Sequence, residues 1–250
     1  MTDFAGRHIV ITGASTGIGR ASADVLVARG ARVTLIARRA ELLKAAVDEL
    51  GAKAAFVVAD VANRAQISAA FSTAEQRHGP IDGLFANAGF GGEFAPFGSF
   101  SDANWDALIA TNLTSVFASI RAVLPAMIMR KAGSIVVTGS LASERGMPMN
   151  AGYVASKHGV LGLARAAAAE AAPHNVRVNC LIPGFIDTPM LGVLPDGAHE
   201  AMASATPQKR IGSSHECAAL VAFLLSDAAS HITAQSIAVD GGILGTYIPR

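Results

Sequence analysis

The sequence predicts one α/β domain, a doubly wound parallel sheet with helices on both faces. Three observations carry that expectation. Short apolar runs rich in Val and Ile alternate with stretches of helical period along the whole chain. The first of these runs is closed by a glycine cluster, Gly13-Ala14-Ser15-Thr16-Gly17-Ile18-Gly19. Apolar residues make up 51% of the chain, enough to cover such a sheet on both sides.

The elements follow in order. Ile9-Val10-Ile11 is a β-branched apolar run, as a strand buried on both faces requires. Ile18, Ala21, Val25 and Ala28 recur at helical spacing up to Gly30, which ends that helix. Residues 33–36 form the second strand, 42–50 a helix stopped at Gly51, and Phe56-Val57-Val58 the third strand. Ile67, Ala70, Phe71 and Ala74 make the next helical stripe, stopped at Gly79-Pro80. Leu84-Phe85-Ala86 is the fourth strand. A long helix spans 105–129, with Pro125 expected to bend it or end its regular part. The fifth strand is 134–137, and an alanine-rich helix over 154–172 is stopped by Pro173. The sixth strand is 176–182, followed by a helix over 216–225 and a last strand over 236–239. No linker or repeat divides residues 1–250. The stretch 187–214, rich in Gly, Pro and small residues, is read as a substrate lid.

Composition excludes several classes of function. A net charge of +1 without a basic tract argues against nucleic-acid partners and acidic membrane surfaces. Cys180 and Cys217 form neither a disulfide framework nor a metal-ligand spacing, so no metal is expected. The N-terminus has no apolar signal region, and the apolar run 218–225 is too short to span a bilayer. These features lead to the expectation of a soluble cytoplasmic protein.

The chemistry centres on Tyr153-Val154-Ala155-Ser156-Lys157, which places a phenol and an ammonium one helical turn apart. A free phenol has a pKa of about 10, and lowering it to ~7 takes roughly 4 kcal/mol. A neighbouring lysine supplies part of that, and a bound cationic cofactor ring more. The phenol then gives or takes a proton near neutral pH. The glycine cluster follows a strand and opens a helix, so a phosphate can approach the helix N-terminus. At the end of the second strand stands Ala37-Arg38-Arg39, with no acidic residue to bond ribose hydroxyls. An arginine there suits a ribose 2′-phosphate. Asp60-Val61, Asn87-Ala88-Gly89 and Pro183-Gly184 with Thr188 all follow strands, where open α/β sheets bind ligands. Ser140 is placed just past the fifth strand to bond a substrate oxygen. Asn112 is unfavourable in mid-helix, which points to another task.

Taken together, these motifs resemble the short-chain dehydrogenase/reductase family. The match runs over nearly the whole chain: Thr12-Gly13-x-x-x-Gly17-x-Gly19, Asn87-Ala88-Gly89, Asn112, Ser140, Tyr153-x-x-x-Lys157, Pro183-Gly184 and Val239-Asp240-Gly241-Gly242. The resemblance implies a Rossmann-type fold and hydride transfer between NADP(H) and a ketone or secondary alcohol. It makes Tyr153 the general acid for reduction and the base for oxidation. Lys157 lowers its pKa and bonds the nicotinamide ribose, and Ser140 bonds the substrate oxygen. Asn112 holds a water that links Lys157 to solvent. The implied cofactor groove comprises Gly13, Ser15, Thr16, Gly17, Ile18, Gly19, Asn87, Ala88 and Gly89. Asp60 and Val61 stand at its adenine end, and Pro183, Gly184, Ile186 and Thr188 at its carboxamide end. One departure stands out. Many NADP-using members carry a basic residue where this chain has Thr16, so preference for NADP over NAD rests on Arg38, with Arg39 in support.

Phe94, Phe97, Met147, Met149, Phe185, Met190 and Leu191 are expected to form an apolar substrate pocket beside Ser140 and Tyr153. The nearby charges Glu93, Glu144 and Arg145 form no clamp for an anion, although Arg145 turned inward would provide one. Burying an unpaired carboxylate against apolar side chains is costly, so a neutral, largely apolar substrate is expected. By resemblance, the helix over 105–129 and the alanines 166–169 with Ala171 pair across a dimer, and dimers form a homotetramer. Two alternatives remain at this point: an NAD-preferring alcohol dehydrogenase of the same family, and a non-catalytic nucleotide-binding regulator. The intact set Asn112, Ser140, Tyr153 and Lys157 speaks against the second.

Overall fold

The computed structural model describes residues 3–191 and 197–246. Among these, one seven-stranded sheet carries the fold. Its strands are β1 (His8–Thr12), β2 (Arg32–Ala37), β3 (Ala54–Val58), β4 (Gly83–Ala86), β5 (Gly133–Thr138) and β6 (Val176–Pro183), completed by β9 (Ser236–Val239). The order is β3-β2-β1-β4-β5-β6-β9, and every pairing is parallel. The chain builds outward from β1 to β3 and then returns to start again at β4. That reversal leaves a crevice at the carboxyl ends of β1 and β4, where Thr12 and Ala86 are in register.

Alternation along the strands divides the core into two layers. Ile9, Ile11, Val33 and Leu35 are buried under α1 (Gly17–Ala28), α2 (Ala40–Leu50) and α8 (Ser214–Leu225). Val10, Ile36, Leu84 and Ile135 face α3 (Arg64–His78), α5 (Ser115–Arg130) and α6 (Ala151–Ala171). Successive strand side chains point to opposite faces, so an uninterrupted apolar run covers both. Each fully buried Val, Leu or Ile contributes ~1.5–3 kcal/mol.

Three local expectations are revised. The long helix runs from Asp102 to Arg130, through the exposed Pro125. Its irregular part lies earlier: α4 (Asp102–Leu108) and α5 are joined by the π-helical turn Ile109–Thr114. By length and composition this helix could cross a bilayer, but half of its most apolar window is buried inside the molecule. The stretch 187–214 is also more regular than expected. It holds α7 (Ala198–Ala205), and Ile186–Asp187 (β7) pairs with Gly212–Ser213 (β8). Residues 192–196 of the expected lid lie outside the described residues. Among the alanines assigned to assembly, Ala167, Ala168 and Ala171 pack in the chain's own core, and only Ala166 and Ala169 are exposed.

Candidate active site

The crevice at the β1–β4 reversal is a cleft of about 410 Å³. Its wall contains Gly13, Ser15, Thr16, Gly17, Ile18, Arg38, Arg39, Asp60, Val61, Asn87, Ala88, Gly89, Pro183, Gly184, Ile186 and Thr188, together with Ser140, Tyr153 and Lys157. Of the residues assigned to the groove from the sequence, Gly19 alone is not in this wall. It lies beneath it, where a Cβ would stand 2.5 Å from the Gly13 carbonyl oxygen.

Hydrogen bonds fix the glycine loop to the sheet. The Asn87 and Ala88 N–H groups donate to Thr12 Oγ1 at 3.0 and 3.2 Å. Asn87 Nδ2 donates to the Thr12 and Gly13 carbonyls, and Thr138 Oγ1 donates to Asn87 Oδ1 at 3.1 Å. One asparagine therefore joins the ends of β1, β4 and β5. Gly13 takes φ +66°, and a Cβ on it would lie 2.7 Å from Ala88 Cα, so both turn and packing demand glycine.

The loop is prepared for an anion. Thr16, the N-cap of α1, makes no side-chain cap bond, and the first turn carries no acidic residue. The first amide groups of α1 thus remain donors without an intrahelical partner. Arg39 Nη2 donates to Ser15 Oγ at 2.8 Å and Thr16 Oγ1 at 2.9 Å. Of the two arginines, Arg39 is thus the one tied to the loop. Its guanidinium reaches the Thr16 position that has no cation of its own, while Arg38 lines the same end of the cleft. Helix amides, a guanidinium on the loop and a buried Ala37 in place of an acid fit a phosphorylated dinucleotide.

At the other end, Asn150 caps α6, accepting from Tyr153 N–H at 3.4 Å and donating to Gly91 O at 2.9 Å. Lys157 is buried, and its Nζ donates to the Thr138 carbonyl at 2.7 Å. Burial brings its pKa down to about 8, against a small opposing effect of Cys180. Burial also raises the Tyr153 phenol above its ordinary value, while a hydrogen bond from Ser140 pulls it down. The lowering expected from Lys157 and a bound cationic cofactor ring is not among these causes. The Lys157 ammonium is engaged by Thr138 and lies 5.8 Å from the Tyr153 ring centre. Ser140 Oγ accepts from Ala142 N–H at 3.2 Å, which leaves the hydroxyl proton free to be donated.

Asn112 does not line the cleft; it clamps the loop after β4. Fully buried, it accepts from Phe90 N–H at 3.0 Å and donates to Phe90 O at 3.0 Å and Ser156 Oγ at 3.3 Å. The π-helical turn carries it, and such single-turn irregularities are frequent at functional sites. Gly89 allows the close fit, since a Cβ there would lie 3.1 Å from Asn112 Oδ1 and 3.6 Å from Lys157 Nζ. Thr111 and Thr138 also line the cleft, and the sequence reading passed over both. A threonine in a strand or helix carries no signal by spacing alone.

The assigned substrate residues are less gathered. Met190 and Leu191 line the cleft. Phe94, Phe97, Met147 and Met149 are exposed on neighbouring loops and Phe185 is half-buried; none of the five is in the wall. Those loops are joined where Ala95 N–H donates to Met149 O at 2.8 Å. The charges point elsewhere. Glu93 accepts from the Ser101 amide and hydroxyl, Glu144 accepts from Ser236 Oγ at 2.8 Å, and Arg145 donates to Leu244 O at 3.1 Å. Arg145 is thus not turned into the cleft.

The family model described as enoyl-(acyl carrier protein) reductase matches residues 13–244. Levodione reductase of Leifsonia aquatica is 40% identical over 98% of this chain and 97% of its own length. The 3-oxoacyl-[acyl-carrier-protein] reductase of Salmonella typhimurium is 37% identical over 96% of this chain and 98% of its own. The crystal structure of levodione reductase superposes with a TM-score of 0.94, covering 98% of this chain and 100% of that one.

Proposed function

The chain belongs to the short-chain dehydrogenase/reductase family, and on that premise we propose an NADP(H)-dependent oxidoreductase acting on neutral ketones and secondary alcohols. One observation carries the reading. Ser140, Tyr153 and Lys157 meet in one cleft whose other end is a glycine loop with an open helix N-terminus.

When bound, a nicotinamide supplies hydride for reduction and accepts it in oxidation. The chain's own residues handle the proton. Ser140 donates a hydrogen bond to the substrate oxygen and holds it beside Tyr153. The phenol, kept protonated by burial, gives its proton to that oxygen as the carbonyl is reduced. In oxidation the same phenol must act as a base, and a cation in the cleft lowers its pKa. Lys157 keeps the donors that Thr138 does not use for the cofactor ribose. A water held between Asn112 and Lys157 would connect the ammonium to solvent.

The substrate class rests on charge. Glu93, Glu144 and Arg145 are all engaged away from the cleft, so an anionic substrate would find no partner among them. Met190, Leu191 and the exposed side chains of Phe94, Met147 and Met149 offer an apolar surface for a substrate to cover. The relatives named above are reductases, in keeping with C=O chemistry.

A crossed assay tests this reading. Matched neutral and carboxylated ketones are compared by kcat/KM with NADPH and with NADH. NADPH is expected to be preferred about ten- to a hundredfold, because charge-assisted bonds to a phosphate contribute ~1.5–3 kcal/mol. The triple variant Ala37→Asp with Arg38→Ala and Arg39→Ala is expected to reverse that order. Equal kcat/KM with both cofactors defeats the phosphate assignment, and preference for the carboxylated set defeats the neutral-substrate assignment.

We further propose a homotetramer assembled through the long helix and α6. Trp105, Phe117 and Met129 stand exposed on the first, and Ala166 and Ala169 on the second. Light scattering at micromolar concentration is expected to give the tetramer mass; a monomer mass rejects it.

A further inference from the structure

The site assembles side chains from two separate elements. Ser140 caps the single turn Leu141–Ser143 after β5, whereas Tyr153 and Lys157 lie on α6. One buried side chain joins the two. Ser143 is 2% exposed, and its Oγ donates to the Lys157 carbonyl at 2.8 Å while accepting from Ser140 N–H at 3.1 Å. We propose that Ser143 is a positioning residue, which holds the Ser140 hydroxyl against the Tyr153 phenol by tying the Ser140 backbone to α6 at Lys157.

The hydroxyl is well matched to this task. It has one proton and two lone pairs, and here the proton serves α6 while a lone pair serves the turn. The bond to the Lys157 carbonyl is buried and the bond from Ser140 N–H is part-buried, so losing the hydroxyl leaves both groups without that partner. Packing closes the remaining freedom. A Cβ on Gly139 would lie 2.9 Å from Ser143 Oγ and 2.8 Å from Cys180 Sγ, so the backbone entering Ser140 is pressed onto this side chain. The Ser143 amide donates back to Ser140 O at 2.8 Å, and Ser140 Oγ takes the Ala142 amide. The direction of the Ser140 hydroxyl therefore follows from the shape of the turn. Ser143 is absent from the cleft wall, so it touches neither substrate nor cofactor space itself.

This inference rests on Ser140 and Tyr153 being the reacting pair, and a double-mutant cycle tests it. Ser143→Ala is expected to lower kcat about tenfold with cofactor Kd unchanged, the scale of one buried hydrogen bond. The pH limb of kcat that reports the phenol is expected to move upward, in the same direction as is expected on losing Ser140 itself. In a Ser140→Ala background, Ser143→Ala is expected to bring no further loss of kcat. A lowered Tm with unchanged kcat, or the same fold loss in both backgrounds, overturns the role. Should Ser143→Ala not fold, Ser143→Cys keeps the shape with a weak acceptor and is read by the same criteria. Tyr153→Phe run alongside separates two failures. If it is inactive while Ser143→Ala is fully active, the positioning role falls alone; if it is active, the reading of the site falls with it.

Discussion

Tyr153→Phe is expected to reduce kcat to a few per cent of wild type or less while cofactor Kd stays nearly constant. The substitution removes one oxygen from a ring whose position is set by α6 and its Asn150 cap. The apolar body of the side chain is retained, so the cleft keeps its shape. What disappears is the phenol hydroxyl beside Ser140, and positioned general acids contribute about 10²–10⁴ in rate. Steady-state turnover combined with fluorescence titration of NADPH separates the two quantities. Retention of more than a few per cent of kcat would show that another group delivers the proton.

A larger loss in kcat/KM for the cofactor is expected of Lys157→Ala, with kcat falling as well. The variant removes the donors left for the ribose and the cation nearest the phenol. Two charge-assisted bonds at ~1.5–3 kcal/mol each correspond to roughly 10²–10⁴ in kcat/KM. The wild-type pH profile provides an independent check. Burial holds the ammonium at about 8 rather than its ordinary 10.5, so the free enzyme loses this charge as pH rises through about 8. Since kcat/KM reports the free enzyme, its value for NADPH is expected to fall above that pH. The alanine variant is expected to lack this limb. A variant with wild-type Kd for NADPH, or a wild-type profile flat to pH 10, rejects the assignment.

Most of the architecture was legible in the sequence because its signals are local. The run Ile9-Val10-Ile11 has to be covered on both faces wherever it is placed, and the layers on either side of β1 show that it is. The glycine loop declared itself through a strand, a turn and a helix in immediate succession. Tyr153 and Lys157 were legible because helical period alone puts positions four apart on one side. The interior of the long helix was less so. Its Asn112 stood out as a poor helix former, but nothing near it in sequence shows that the Phe90 backbone needs both a donor and an acceptor there. Neither did the sequence show that the helix would take a π-helical turn to carry it.

Other outcomes depended on which groups arrive from far along the chain. The sequence put Arg38 first with Arg39 in support, and only the path of the loop after β2 brings Arg39 onto Ser15 and Thr16. Arg145 turned inward would have offered a clamp for an anion, but Leu244, 99 residues away, takes its guanidinium, and Ser236 bonds its neighbour Glu144. The surroundings of the phenol were set in the same way. The neighbour at four residues was expected to lower its pKa, but Thr138 holds the lysine, and the surrounding protein removes water from the ring. The sequence by itself determined the order of strands and helices along the chain, the glycine turn and the one-sided spacing of Tyr153 and Lys157, since each depends on residues within one or two turns of each other. Tertiary structure alone decided which arginine meets the loop, how Asn112 is used, where the loop charges go and what the environment does to Tyr153. Those depend on desolvation and on long-range hydrogen-bond partners, which come into existence only when the sheet closes and distant segments pack together.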